Sequence, residues 1–448
     1  MDYPAAVAAL QSRGRFGISL GLERISALLE ILDHPERGLR GALVAGTNGK
    51  GSVIALARSV LNAAGLRVGS MPKPHLTSYR ERIAIDGEPI SRARFAQAIA
   101  RVLPVVDRVA ASLGPPTEFE VLTAAAVAEL AGADVDLFLI EVGMGGRLDA
   151  TNALDLGVAA ITNVQHDHER YLGSTLAQIG REKAAIIKAG DLAVTGATGR
   201  GLRPILDRCA DLAVPLRRSG AWRPYRATLH AAGWDGIEID ITTPAREMSQ
   251  LHVGLLGGHQ AGNAAVAVAL LDALAEDASR RGQSVIIDET AVRRGLRAAR
   301  WPGRLEVVEG GDGIGRVLLD GAHNPAGAGA LVAALRELRV RGMPLVFGAM
   351  RGKRVSAMLR TLASLDPLPI FTAVPDPRAI PAAELQRTWR RLGAHGASPS
   401  AGLVARDPEH ALRLAAQQRR GDGPIVVAGS LYLVGAMRGI LTGEREEG

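Results

Sequence analysis

Apolar and polar positions alternate in two rhythms along this chain, and the switch between them divides it. The unbroken apolar run from Ala42 to Ala45 predicts a buried strand, and Val53-Ile54-Ala55-Leu56-Ala57 opens a helix just beyond it. Residues 4–12 and 22–32 read as helices, the second with Leu22, Ile25, Leu28, Leu29 and Leu32 on one face. A short strand over Val68–Met71 leads into Pro72-Lys73-Pro74-His75, which cannot be helical. Helices over 92–113 and 119–131, strands over 135–140 and 157–161, and a helix near 175–188 continue the pattern. Strands alternating with helices predict a parallel sheet covered on both faces. Over 219–256 the rhythm becomes two-fold, as in Ile237-Glu-Ile-Asp-Ile, predicting antiparallel strands. Helices at 260–276 and 288–299 close this part. After Trp301-Pro302-Gly303 the alternation restarts, with strands at 315–319, 344–348, 368–372 and 424–428. Helices at 326–339, 354–364, 381–391 and 407–419 lie between and around them. The expected division is residues 1–300 and 301–448.

Composition narrows the class. At 448 residues, 47% hydrophobic and 22% charged, the chain is globular and long enough for more than one core. The net charge is +7, but the arginines are dispersed, and pairs such as Arg390-Arg391 read as a solvated helix face. A polyanionic small substrate is expected, with no nucleic-acid partner. The single cysteine, Cys209, excludes an intramolecular disulfide and a cysteine metal cluster. No apolar run is long enough to span a bilayer and no signal-peptide pattern is seen, so a cytoplasmic protein without a membrane partner is expected.

The chemistry gathers at strand ends, where open α/β sheets bind ligands. Gly46-Thr47-Asn48-Gly49-Lys50-Gly51-Ser52 is a Gly-rich turn between strand and helix, able to aim backbone N–H groups at phosphate oxygens. Lys50 supplies a charge for the phosphates and Ser52 a hydroxyl for Mg²⁺; Gly51 interrupts the usual Gly-Lys-Ser/Thr order. Glu141 ends an apolar strand as a metal-holding acid would, or as a solvated strand-end acid. Arg147 follows in a flexible loop. His166, Asp167 and His168 form either a ligand cluster or a hydrogen-bonded turn. Lys183 falls in the buried stripe of Leu176, Ile179, Ile186 and Ile187, where it snorkels, pairs or reacts. Asp320 and His323 flank a turn that either contacts a nucleotide or is simply a turn, with Asn324 as N-cap and Pro325 at the first helical position.

In order, Gly46-Thr-Asn-Gly-Lys-Gly-Ser52, Glu141-Val-Gly-Met-Gly-Gly-Arg-Leu-Asp-Ala-Thr-Asn152, Asp167-His168, Arg181-Glu-Lys-Ala184, Gly258-His-Gln260, Trp301-Pro-Gly-Arg304 and Asp320-Gly-Ala-His-Asn-Pro325 resemble the folylpolyglutamate synthases and dihydrofolate synthases, relatives of the Mur ligases. The resemblance implies an α/β fold of two domains. One is a large P-loop parallel-sheet ATPase domain with an antiparallel extension; the other is a smaller Rossmann-like C-terminal domain. It implies an ATP-dependent amide ligase joining L-glutamate to a folate or to dihydropteroate through an acyl phosphate, acting as a monomer. Lys50, Lys183 and His323 would be catalytic. Thr47, Asn48, Gly49, Lys50, Gly51, Ser52, Asn263, Arg304 and Asp320 would bind ATP. Ser52, Glu141, His168 and Lys183, the last as a carbamate, would hold two Mg²⁺, with a monovalent cation as a further ligand. Leu20, Gly21, Phe119, Glu120, Arg147 and Asp149 would face the folate.

Two positions depart from the family pattern. Lys73 stands where many members have a serine associated with Mg²⁺, and Ser19 where bifunctional members have aspartate. A Mur-type ligase on another carboxylate and a catalytically silent nucleotide-binding protein are the competing readings. Only 45 residues precede Gly46, fewer than a UDP-sugar-binding domain would need.

Overall fold

The computed structural model describes residues 1–14, 21–311, 313–393 and 401–444. Its first sheet has eight strands, ordered Glu88–Pro89, Ala84–Ile85, Val68–Met71, Leu137–Glu141, Gly41–Ala45, Gly157–Ile161, Leu192–Thr195 and Leu216–Arg218. The six from Val68–Met71 onward run parallel. Gly41–Ala45 is fully buried at the centre, so the chain leaves it with neighbours on both sides: Val44 registers with Glu141 and Ala45 with Ile161. This is the switch point of the sheet, and its carboxyl end opens a crevice.

The two faces of this sheet are covered differently. The helices Tyr3–Gln11, Glu23–Ile31, Arg92–Leu113 and Glu118–Ala131 pack on one face with Leu43, Met71, Phe138 and Ile140. The helices Lys50–Ala63, Gln260–Arg280 and Glu289–Ala298 pack on the other with Ala42, Val44, Leu139 and Val158. The expected antiparallel segment is a three-stranded sheet of Arg226–Gly233, Gly236–Thr242 and Glu247–Val253. Its buried Ile237, Ile239, Ile241 and Leu251 join the second core.

The second large sheet has six strands, ordered Glu306–Gly310, Gly315–Leu319, Ile425–Ala428, Pro344–Phe347, Leu368–Phe371 and Leu403–Val404. All its pairings are parallel except the first. Several elements were not anticipated: the strands Leu192–Thr195, Leu216–Arg218 and Glu306–Gly310, and the helix Leu431–Thr442. The helix expected at 175–188 ends at Ala184, so Ile186 and Ile187 are buried in the turn beyond it. Among the described residues, no helix is long and apolar enough to cross a membrane.

The two large sheets meet beside the crevice. Leu76, in the loop after Val68–Met71, packs against the second sheet's core and against Gly435 of the helix Leu431–Thr442. A Cβ on Gly435 would lie 1.9 Å from the Leu76 carbonyl oxygen, so only glycine permits this approach. Replacing Gly435 with alanine is therefore expected to cost about 1–3 kcal/mol, as overpacking of a tight contact does. Thermal and urea denaturation would read this; a variant as stable as the parent would disprove the contact.

Candidate functional site

The Gly-rich loop takes its shape from its neighbours. Gly46 has a φ of 152°, and a Cβ there would meet Thr162 Oγ1 at 1.9 Å. Gly49 is left-handed (φ 80°) and lies against Asn263, whose Oδ1 would be 2.6 Å from a Cβ. Both are places where any side chain clashes or strains the backbone. The loop backbone is tied to the next strand end: Asn48 N donates to Asn163 Oδ1 at 3.0 Å, and Thr162 Oγ1 donates to the Asn48 carbonyl at 2.6 Å. Thr47 Oγ1 donates to the Gln165 carbonyl at 3.1 Å, and the Asn48 amide donates to Gln165 Oε1 at 2.6 Å. Gly51, which breaks the usual order, touches the Trp301 indole: a Cβ there would sit 2.5 Å from the ring. The glycine is thus what allows the first helical turn to pack on an aromatic side chain.

Two lysines converge on one carbonyl. Lys50 Nζ donates to Gly46 O at 3.3 Å, and Lys183 Nζ donates to the same oxygen at 3.0 Å. Lys50 also lies 3.7 Å from Glu141 Oε1. Lys183 is only 4% exposed, so it does not snorkel. Desolvation, reinforced by Lys50, lowers its pKa to about 7. Ser52 and Glu141, each 4% exposed, stand beside the loop, and Glu141 Oε2 accepts the Lys73 backbone N–H at 3.0 Å. The Lys73 ammonium sits 2.8 Å from the centroid of the Phe119 ring. Desolvation likewise lowers its pKa to about 7.

The second sheet reaches the loop through Asp167. This carboxylate accepts from Lys353 Nζ at 2.8 Å and from Asn324 Nδ2 at 3.0 Å, and faces His323 Nε2 at 3.5 Å. Asn324 Nδ2 also donates to Asn48 Oδ1 at 3.1 Å. Burial alone would push the Asp167 carboxyl up, but the hydrogen bond from His323 and the charge of Lys353 hold it well below the usual range. Beside it, burial and Lys353 lower His168 to about 4, so its imidazole is neutral near pH 7.

Other expected positions are placed as follows. Asp320 accepts from Leu305 N at 3.0 Å and Ala322 N at 2.9 Å, joining the Trp301–Arg304 loop to the Asp320–Pro325 turn; Arg304 lies against Gly321. Asn324 caps the helix Pro325–Glu337, as its sequence indicated. Of the folate-side set, Gly21 is buried and Phe119 half-buried, while Leu20 and Ser19 lie outside the described residues. The other three make contacts within the protein. Glu120 caps its own helix with Thr117 and pairs with Arg24 at 3.0 Å. Asp149 accepts from the N–H groups of Gly143, Met144 and Thr151 and from Thr151 Oγ1. Arg147, expected to reach an anion, pairs with Glu182 at 2.9 Å. Lys353 was missed; its only sequence signal was a glycine-flanked lysine shortly after a strand end. Among the described residues, no three His, Cys, Asp or Glu side chains are grouped to hold a metal.

Comparison with known proteins gives this architecture its class. The Mur ligase middle domain matches residues 93–271, and the Mur ligase glutamate ligase domain matches residues 303–431. The dihydrofolate synthase/folylpolyglutamate synthase of Bacillus subtilis is 32% identical over 97% of this chain and 98% of its own length. A probable bifunctional folylpolyglutamate synthase/dihydropteroate synthase of Halobacterium salinarum is 37% identical over 98% of this chain. The chain spans about half the length of that relative and of its Haloferax volcanii counterpart. Among solved structures, Mycobacterium tuberculosis folylpolyglutamate synthase complexed with ADP and AMPPCP superposes with a TM-score of 0.87 at 32% identity, covering 98% of this chain and 99% of that one. Escherichia coli FolC in complex with DHPP and ADP gives 0.85 at 27% identity, covering 100% and 99%. The chain belongs to the dihydrofolate synthase/folylpolyglutamate synthase family of the Mur ligase superfamily.

The Asp167–Lys353 pair makes a measurable contribution. Asp167 titrates below its unfolded value, so its stabilisation is present above about pH 4 and is lost as pH falls below that. Replacing Lys353 with methionine is expected to cost about 1.5–3 kcal/mol at neutral pH, the range for a hydrogen bond to a charged group. In urea denaturation, the deficit should shrink as the pH is lowered below about 4. A pH-independent deficit would contradict the pairing.

Proposed function

We propose that this protein is an ATP-dependent ligase that joins the amino group of L-glutamate to a carboxylate of a folate, of dihydropteroate, or of both. The observation that carries the reading is the convergence of Lys50 and Lys183 on Gly46 O, with Glu141 beside them, at the switch point of a parallel sheet. A carboxylate is a poor electrophile toward an amine. ATP phosphorylates it, the amine attacks the acyl phosphate, and phosphate leaves. The loop N–H groups and Lys50 would hold the transferring phosphoryl group. Asn263, Arg304 and Asp320 would line the nucleotide, the last two from the 301–448 unit, as that unit closes on residues 1–300. His323 would sit over the phosphates.

The donors fit Mg²⁺, a hard cation usually held by one or two carboxylates together with substrate phosphates. Ser52 and Glu141 would hold one ion. His168, neutral near pH 7, and Lys183 would hold the second, but Lys183 only as a carbamate, since an ammonium repels a metal. Bound Mg²⁺ would neutralise charge on the transferring group. The relatives whose other half is named a dihydropteroate synthase favour dihydropteroate as one acceptor, because that half makes the substrate which this one would extend.

Two measurements test the proposal. Phosphate release with ATP, Mg²⁺ and L-glutamate is expected with dihydropteroate, tetrahydrofolate or each in turn. Silence with both, from protein that binds ATP, would refute the folate assignment. For Lys183, the neutral amine adds CO₂ to give a carbamate and a proton. With a pKa near 7, the reactive fraction rises from roughly a tenth at pH 6 to roughly nine-tenths at pH 8. Bicarbonate should therefore activate decarbonated enzyme more as pH rises, and carbon NMR with labelled bicarbonate should show a carbamate that Lys183→Ala lacks. Full activity of Lys183→Ala without added short carboxylic acids would exclude this role.

A further inference from the structure

Among the described residues, the Lys73 ammonium has no hydrogen-bond or ion-pair partner; the charges of Asp149 and Glu141 favour it from a distance, and those of Arg82 and Lys50 oppose it. The Lys73 backbone is fixed at the strand ends, where its N–H bonds Glu141. The ammonium rests on the face of Phe119. Asp149, the carboxylate whose charge most favours this ammonium, already accepts four hydrogen bonds within the Gly143–Thr151 loop. An ammonium carries three donors, and in a crevice that strips its water they seek an anion.

The side of the sheet identifies that anion. The nucleotide-loop helix Lys50–Ala63 packs in the core on one face, whereas Phe119 packs in the core on the opposite face. Lys73 thus starts at the rim shared with Glu141 and leans away from the nucleotide helix. Resting on the ligase reading above, we propose that the Lys73 ammonium receives the reacting carboxylate of the acceptor and holds it against the phosphate loop. Two anions, a carboxylate and a triphosphate, must meet before phosphoryl transfer. A fixed cation between them offsets their repulsion. The Phe119 face seats the ammonium through its quadrupole without supplying an oxygen, so the donors stay available.

The test compares wild type with Lys73→Met and Lys73→Gln in the glutamate-ligation assay, with folding checked by thermal denaturation. The expected result is an acceptor KM raised about 10- to 100-fold, with the ATP KM unchanged. As a readout that a structural role would not move, the acceptor and its primary amide are compared as ligands by fluorescence titration. Wild type should prefer the carboxylate, and both variants should lose that preference. Phe119→Leu, which removes the aromatic seat, should weaken the preference less than loss of the charge. A raised ATP KM with an unchanged acceptor KM would assign the ammonium to the phosphates and overturn the proposal, as would variants that keep the carboxylate preference. Inactive wild type would instead overturn the ligase reading and this inference with it.

Discussion

The Gly46 carbonyl is the point on which the site depends. It lies just beyond the carboxyl end of the central strand of a parallel sheet, and two lysine amines from two different helices donate to it. Burial raises the electrostatic cost of charging Lys183, and the neighbouring Lys50 charge adds to it. Such an arrangement is poorly satisfied in a free protein. An anion placed there, or loss of charge from one amine, would relieve it. The crowded glycines around it have the same origin, since Thr162 and Asn263 press on the loop from both sides.

The clasp at Asp167 joins the two halves by a different logic. One carboxylate on the first sheet's side collects Lys353, Asn324 and His323 from the second sheet's side. Asn324 uses its side-chain carbonyl to cap its own helix and its amide to reach Asp167 and Asn48. The start of that helix, the crevice wall and the nucleotide loop are therefore oriented by one residue. The second half positions the loop as well as covering it.

Much of this was legible in the sequence because it rests on local rules. Alternating strands and helices defined the sheet class, and Asn324-Pro325 marked a helix start. The apolar run ending in Glu141 put a carboxylate at a strand end, the same level of the sheet as the loop, by its pattern alone. The strands Leu192–Thr195 and Leu216–Arg218 were not legible: they are three or four residues long and gain their identity by pairing at the edge of an existing sheet. The internal contacts of Glu120, Asp149 and Arg147 were also hidden. A charged side chain near a loop looks the same in sequence whether or not the protein itself supplies a partner, as it does for each of these three. Lys353 stands 186 residues from Asp167, and no periodicity connects them.

The indole beside Gly51 has a consequence of another kind. Of the four tryptophans, Trp222 is 95% exposed and Trp234 and Trp389 pack with the second sheet's core, whereas Trp301 rests on the first turn of the helix Lys50–Ala63. It also opens the segment that leads into the second half of the chain. One native fluorophore thus stands at both the Gly-rich loop and the joint between the sheets, and its emission reports on that junction rather than on the bulk of the molecule.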